Sequence, residues 1–301
     1  MDKKALLKPK SKNKLSAEER KARTKAHIAD AVAASKTALL ISHGHCLDGT
    51  GAVIIAQRAL GAENCGVFYS QPNYIHETLN HLVEDGHEGN GRTLHIMDLA
   101  LNGRSFDSIV ASCRALQSRG WNIEWRDHHH KSWENLDLGR LRPLLAVLDV
   151  NTDATESGAS MVQQALAPKD AFAKKLAETI RDRDLWWNKT PDSETLEFAL
   201  TWMKTDDFVE HLLGKTGRNK VVDDVIQDAA DQQRHLTEME SAYLLKFARG
   251  FDAPNGMKAA VVYGNLPKNV GLHELLEGGA HVAVNLRPNG AMSIRSRKEV
   301  P

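Results

Sequence analysis

Short apolar runs alternate with amphipathic stretches from residue 37 to about residue 166, at the spacing of strands and helices taking turns. Runs at 37–42, 66–69, 94–97, 122–125 and 144–148 read as five strands; a helix opens at Gly49 behind the first, and another covers 106–118. That order argues a largely parallel sheet with helices on both faces. In such a sheet the carboxyl ends of the strands converge on one crevice, where ligands bind. After residue 156 the pattern becomes helix after helix. Ser157-Gly158-Ala159-Ser160-Met161 reads as a close-packed helix start, and the long polar stretch 221–250 as a connector to a second lobe or as a further helical layer. The chain closes on runs at 258–263 and 282–286, a helix around 272–276, and a turn at Arg287-Pro288-Asn289-Gly290 leading into a strand over 291–298. The predicted fold class is α/β: a mostly parallel sheet, a helical connector, and a second, smaller α/β domain. The expected bounds are 1–36 for a basic arm and helix, 37–200 for the main domain, 201–251 for the connector and 252–301 for the small lobe. A lobe of about 50 residues is marginal alone and must lean on the first domain or on a second copy, which leaves a homodimer open.

Composition narrows the class of protein. At 301 residues, 42% hydrophobic and 26% charged, the chain can bury a sizeable core. Cys46, Cys65 and Cys113 have neither paired nor zinc-type spacing, so no disulfide framework is expected. No apolar run reaches the roughly 18 residues of a membrane span, and the lysine-rich start lacks the apolar stretch of a secretory signal. Cytoplasm is the expected compartment. The zero net charge hides an asymmetry: residues 1–25 hold 10 of the 39 Lys and Arg but 3 of the 39 Asp and Glu, leaving the remainder acidic. Ser16-Ala17-Glu18-Glu19 reads as a capping box that opens a helix running toward Ser35, behind a mobile segment at 1–15. A basic arm can hold phosphates. With no aromatics interleaved in 1–36 for stacking bases, a solubilising tail or partner-docking helix is the preferred reading. The pair Trp186-Trp187 could flank a base, but is expected in the core.

The chemistry gathers behind the strands. Trp125-Arg126-Asp127-His128-His129-His130-Lys131 places adjacent imidazoles behind a carboxylate at a strand end, where they could bind a metal and a substrate anion side by side. His43-Gly44-His45-Cys46-Leu47-Asp48-Gly49 follows the first strand and Asp98 the third, while Arg181-Asp182-Arg183-Asp184 closes a helical stretch. Singly, an aspartate after a strand is often only a helix cap; together these form a set. No glycine-rich phosphate loop followed by lysine and no Gly-x-Ser-x-Gly elbow points to an NTPase or serine hydrolase.

In this order and context the set resembles the DHH phosphoesterase superfamily, over roughly residues 37–298. The resemblance implies two divalent ions, manganese with magnesium as the alternative, held by His43, Asp48, Asp98, His128 and Asp182, with Asp98 bridging both. It implies that His129 faces the substrate phosphate and that Asp127 orients an imidazole from behind. The first motif departs from the usual array in offering one aspartate, Asp48; His45 is an equally weighted replacement ligand or loop residue, and Cys46, a softer donor that favours zinc, ranks below it. Strand 291–298 is similar to the Ser-x-Arg-Ser strand of the associated C-terminal domain, so Arg295, Ser296 and Arg297 are the expected substrate-binding residues, the alternative being a charged, aggregation-resistant edge. The Gly-Gly-Gly-His loop of that domain has no counterpart; Gly278-Gly279-Ala280-His281 precedes a strand in the wrong place.

The implied chemistry is two-metal hydrolysis, in which the ions activate a water and neutralise phosphate oxygens. The leading expectation is a phosphodiesterase acting on short oligonucleotides or related nucleotides. The alternatives are a pyrophosphatase or exopolyphosphatase, encouraged by Ser296-Arg297-Lys298, and a catalytically silent nucleotide-binding module.

Overall fold

The computed structural model describes residues 16–215, 220–252, 256–265 and 270–297. Its packing divides the chain into two compact units, Met1–Ser193 with Val209–Val221, and Glu194–Phe208 with Val222–Pro301. Segment 1–15, expected to be mobile, lies outside the described residues.

The first unit is a doubly wound sheet. Helix α1 (Ala17–Ala34) starts on the expected capping box: Ser16 Oγ accepts from Glu19 N and Glu19 Oε2 accepts from Ser16 N. Then follow β1 (Ala38–His43), α2 (Leu47–Leu60), β2 (Cys65–Ser70), α3 (Ile75–Glu84), β3 (Thr93–Met97), α4 (Phe106–Ser118) and β4 (Asn122–Asp127). Two short helices, α5 (His130–Trp133) and α6 (Leu138–Leu141), lead to β5 (Val147–Val150), α7 (Gly158–Leu166) and α8 (Ala171–Asp184). All strand pairs are parallel, in the order β2-β1-β3-β4-β5. The last strand starts later than expected because Pro143 sits in a single 3-10 turn over Arg142–Leu144.

Alternation along the strands sorts the side chains between two layers. Leu39, Ile41, Leu94, Ile96, Ile123 and Trp125 point into a core shared with Ile28 of α1, Ile75 and Leu79 of α3, and Ile109 and Leu116 of α4. The opposite face is covered by α2, α7 and α8, which pack on one another. Because the chain moves from β1 outward to β2 and then returns to β3 on the other side, the strand order reverses beside β1. That is the crevice where such sheets bind ligands.

Helices α9 (Pro191–Trp202) and α10 (Thr205–Leu213) span the changeover between units. The second unit holds α11 (Asp224–Leu245) and a four-stranded sheet, β6 (Arg249–Asp252), β7 (Lys258–Tyr263), β8 (Val282–Leu286) and β9 (Met292–Ser296), with α12 (Val270–Glu277) crossing between the parallel pair β7 and β8. Strand β6 overlaps the end of the stretch expected to be helical. The core of this unit is small: Val262, Leu272 and Ala283, with Leu244 and Ala248 from the α11 end packed against them. Among the described residues no helix is long and apolar enough to cross a membrane.

Candidate metal centre

Ser42 Oγ donates to the carbonyls of Gly49, at 2.8 Å, and Met97, at 3.1 Å, tying the end of β1 to the first turn of α2 and to β3. A Cβ on Gly49 would lie 2.2 Å from the His43 carbonyl oxygen, so only glycine lets α2 start this close to the strand. That approach brings Asp48 inward, fully buried, beneath the N-terminus of α7. There Gly158 N donates to its Oδ2 at 2.6 Å and Ala159 N to its Oδ1 at 2.9 Å, a favourable place for a carboxylate at a helix start. Burial, followed by the charges of Asp98 and Asp184, pushes the Asp48 carboxyl well above its ordinary value.

Asp98, the first residue after β3, is left-handed at φ 52°, a conformation uncommon outside glycine that aspartate adopts more readily than most. Its backbone N–H is fixed by the Arg126 carbonyl at 3.1 Å. The two carboxylate oxygens then face two groups. Oδ2 stands 3.7 Å from His43 Nδ1 and accepts from Cys46 Sγ at 3.6 Å; Oδ1 stands 3.2 Å from His128 Nε2. His128 Nε2 also lies 3.5 Å from Asp48 Oδ2 and 3.6 Å from Asp184 Oδ2. His43, Cys46 and Asp98 are thus one potential ligand group, Asp48, His128 and Asp184 another, and Asp98, His128 and His129 a third.

The electrostatics of this cluster ask for a cation. Burial works against a charge on His128, but the Asp98, Asp48 and Asp184 carboxylates outweigh it and raise its pKa to about 10. Burial works against the charge of Asp98 too, and the imidazoles of His128 and His43 overcome it, holding its carboxyl below the usual range. His43 is raised by Asp98. Burial and the nearby Asp98 and Asp48 charges push the Cys46 thiol up. Three carboxylates around one imidazole favour a positive charge here, and a divalent ion would bind in place of an imidazole proton. Asp98 Oδ1 and His128 Nε2 are both buried without a hydrogen-bond partner, which is the environment a shared cation satisfies. The carboxylate and imidazole donors suit manganese or magnesium, and Cys46 adds a softer one.

His129 lies at the edge of the cluster, 3.9 Å from Asp98 Oδ1, but is engaged more closely by Asp127. Its Nδ1 lies 2.8 Å from Asp127 Oδ1, while Trp133 Nε1 donates to Asp127 Oδ2 at 2.6 Å and fixes that carboxylate from behind. Burial opposes a charge on His129, and Asp127 more than restores it, raising its pKa.

The expected site residues therefore divide. His43, Asp48, Asp98 and His128 come together. Asp182 does not: its oxygens accept the backbone N–H groups of Lys189, at 2.9 Å, and Thr190, at 3.1 Å, so it shapes the turn after α8. Asp184, two residues on, occupies the place beside His128. In the first motif His45 is exposed, with φ 59°, while Cys46 is turned toward Asp98, reversing their expected ranking. Trp186 and Trp187, expected in the core, are 55% and 41% exposed, under the guanidinium groups of Arg183 and Arg181. In the second unit, Arg295 pairs with Ala283 and so lies on the α12 side of the sheet, with its Nη1 near the Ile294 carbonyl; Ser296 lies on the opposite side. Arg297 donates from Nη2 to the Leu276 carbonyl at the end of α12. Lys298 lies outside the described residues.

No protein-family model matches the chain, and no curated protein matches it. Solved structures do. It is similar to a DHH domain described as a member of a family of ribosomal proteins, with a TM-score of 0.64 at 14% identity, covering 95% of this chain and 80% of that one. RecJ from Thermus thermophilus in complex with Mn2+ gives a TM-score of 0.49 at 16% identity, over 93% of this chain and 48% of RecJ. An exopolyphosphatase-related protein from Bacteroides fragilis gives 0.49 at 12% identity, over 93% and 85%. The chain carries the DHH-domain fold over most of its length.

Proposed function

We propose that this protein is a divalent-metal-dependent phosphoesterase that hydrolyses a phosphodiester in short oligonucleotides or related nucleotides. The observation that carries this reading is the buried contact between Asp98 Oδ1 and His128 Nε2, an ion pair at 3.2 Å that lacks hydrogen-bond geometry, inside a ring of carboxylates. Asp98 would hold two ions, one with His43 and Cys46 and the other with Asp48, His128 and Asp184. Bound there, a pair of divalent ions supplies an activated water and neutralises phosphate oxygens. His129, with Nδ1 held by Asp127, has Nε2 left to donate to a phosphate oxygen in the transition state. Arg295 and Ser296 of the second unit are retained as candidate substrate contacts. The pyrophosphatase reading draws on Ser296-Arg297-Lys298; with Arg297 engaged at the end of α12, no observation favours it. The three thiols, none in a disulfide, suit a reducing compartment, and we assign the enzyme to the cytoplasm.

The test is a metal count followed by a substrate panel. The manganese-loaded protein should carry two ions per chain and cleave a dinucleotide in preference to a cyclic dinucleotide and pyrophosphate, and Asp98→Ala should abolish both properties. Less than one ion per chain, unchanged by Asp98→Ala, would overturn the site; two ions with no hydrolysis of any panel member would leave a binding module instead.

A further inference from the structure

We propose that the sheet edge beside the metal centre carries a subsite for the base of a nucleotide, built by α1 and the C-terminal end of β2. The proposal rests on the phosphoesterase reading and narrows its substrate to one with a base flanking the scissile phosphate. A cavity of about 560 Å³ lies there, lined by Arg20 and Lys21 of α1, Phe68 of β2, and Gln71, Tyr74 and Thr78 where the chain enters α3. That volume is in the range of small-ligand sites.

Three observations give the cavity its chemistry. The first is its link to the centre. Gln71 lines the cavity and donates from Nε2 to the Gly44 carbonyl at 3.1 Å, while its Oε1 lies 3.2 Å from His43 Nε2. The other nitrogen of that imidazole is the one facing Asp98. One side chain thus separates the cavity from the ligand cluster, so a phosphate held at the centre would have its sugar and base within reach of the cavity.

The second is Tyr74, which is 57% exposed although large and aromatic. Its backbone serves the fold, the carbonyl accepting from Thr78 N in the first turn of α3 at 3.0 Å. The cavity has Arg20 and Lys21 on its α1 side and the carboxylate of Glu77 on its α3 side, and an exposed ring beside cations is the arrangement on which bases stack, whatever their identity. Behind it the buried hydroxyls of Thr78 and Ser70, 3.0 Å apart, bond to each other and fix the end of β2 against α3.

The third is how α1 is seated. That helix is anchored to the core further along, by Ile28, Ala31 and Val32, and Arg20 and Lys21 lie on its exposed stretch. The arm alone offers charge without aromatics. The fold supplies the aromatics from β2 and the start of α3, and the composite has both properties of a single-strand nucleic-acid groove, a cationic track and a stacking face. Pyrophosphate has no base and would make no use of it.

Calorimetric titration of the manganese-loaded full chain with AMP and with ribose 5-phosphate tests the subsite without relying on turnover. The subsite should make AMP bind about tenfold more tightly than ribose 5-phosphate, as stacking on one aromatic implies. Tyr74→Ala should bring the ratio of the two affinities to about one, and Tyr74→Phe, which keeps the ring, should preserve it. Arg20→Ala with Lys21→Ala should weaken a cleavage-resistant phosphorothioate-linked pApA more than AMP. If ribose 5-phosphate binds in a manganese-dependent way and the adenine adds nothing, the subsite is refuted while the phosphoesterase reading stands. If neither compound binds, the subsite is refuted, and the phosphoesterase reading is decided separately by the metal count and the substrate panel. A ratio unchanged by Tyr74→Ala would also refute the stacking assignment.

Discussion

Replacing Gly158 by alanine adds one methyl group where the start of α7 meets two carboxylates, and the centre should lose metal affinity while the fold survives. The new Cβ would lie 2.6 Å from Asp98 Cβ, 2.9 Å from Asp48 Oδ2 and 3.2 Å from Asp98 Cα. Neither neighbour has room to retreat. Asp98 is pinned by its left-handed backbone and its bond to the Arg126 carbonyl, and Asp48 by the two N–H groups of α7 itself. Overpacking of this kind costs about 1–3 kcal/mol. If α7 instead backs away, Asp48 loses two hydrogen bonds worth about 0.5–1.5 kcal/mol each. Alanine's advantage over glycine in a helix returns only about 0.5–1 kcal/mol. A net loss of about 2 kcal/mol should appear as a lower urea midpoint. Displacing Asp48 and Asp98 together should weaken manganese binding at least tenfold, about 1.4 kcal/mol, by calorimetry. Gly250→Ala is the control, because its Cβ would meet nothing within 4 Å. A Gly158→Ala protein with the wild-type midpoint and the wild-type manganese affinity would refute the argument from close approach.

Other substitutions separate the remaining roles. Asp184→Ala should reduce manganese stoichiometry with little loss of stability, whereas Asp182→Ala should lower the unfolding midpoint and leave the metal content intact; the opposite pattern would return the ligand role to Asp182. Cys46→Asp should raise the preference for manganese over zinc in competition dialysis, since it replaces a soft donor by a hard one, and an unchanged ratio would exclude the thiol from the metal shell. Glu124 is held down to about 2 by His95 and Arg126, against burial. Its ionised form therefore stabilises the fold above about pH 4.5, and that contribution fades as the pH falls toward 2. For a group partly open to solvent we expect on the order of 1 kcal/mol. Glu124→Gln should flatten this acid limb in urea titrations at about pH 7, 4.5 and 3, and parallel curves for the two proteins would contradict the assignment.

The parts of the fold legible in the sequence are those whose hydrophobic pattern belongs to one element at a time. Strands β1, β3 and β4 appear within a residue or two because polar or charged residues end each apolar run. Strand β5 is displaced because 144–148 is apolar throughout, so periodicity cannot place its start; the fixed φ of Pro143 does that. Strand β6 has no signal to read. All of its residues are exposed, and it exists because Arg249–Asp252 pairs antiparallel with Lys258–Val261 of β7, a contact that no local propensity encodes. Helix α3 is readable in principle, since Ile75, Leu79 and Leu82 recur at helical spacing on its buried side.

The candidate metal centre divides along the same line. His43, Asp48, Asp98 and His128 are legible because each ends or directly follows a strand or opens the helix behind it, and parallel strands bring their carboxyl ends together whatever the loops do. The choice between Asp182 and Asp184 is not legible. At about 100° per residue the two project some 200° apart on α8, so only one can face the cluster, and which one depends on how the helix is rotated about its axis. Packing sets that rotation: Leu176, Ala177 and Ile180 are buried, and Asp182 is caught by the turn that follows. His45 and Cys46 pose the same problem in a loop, where a left-handed backbone at His45 turns the imidazole outward and hands the inward place to the thiol. The basic arm meets a related limit. Reading 1–36 alone finds cations without aromatics, but a surface is assembled across the sheet edge, and Phe68 and Tyr74 come to line one cavity with Arg20 and Lys21 only once α1 has packed against β2.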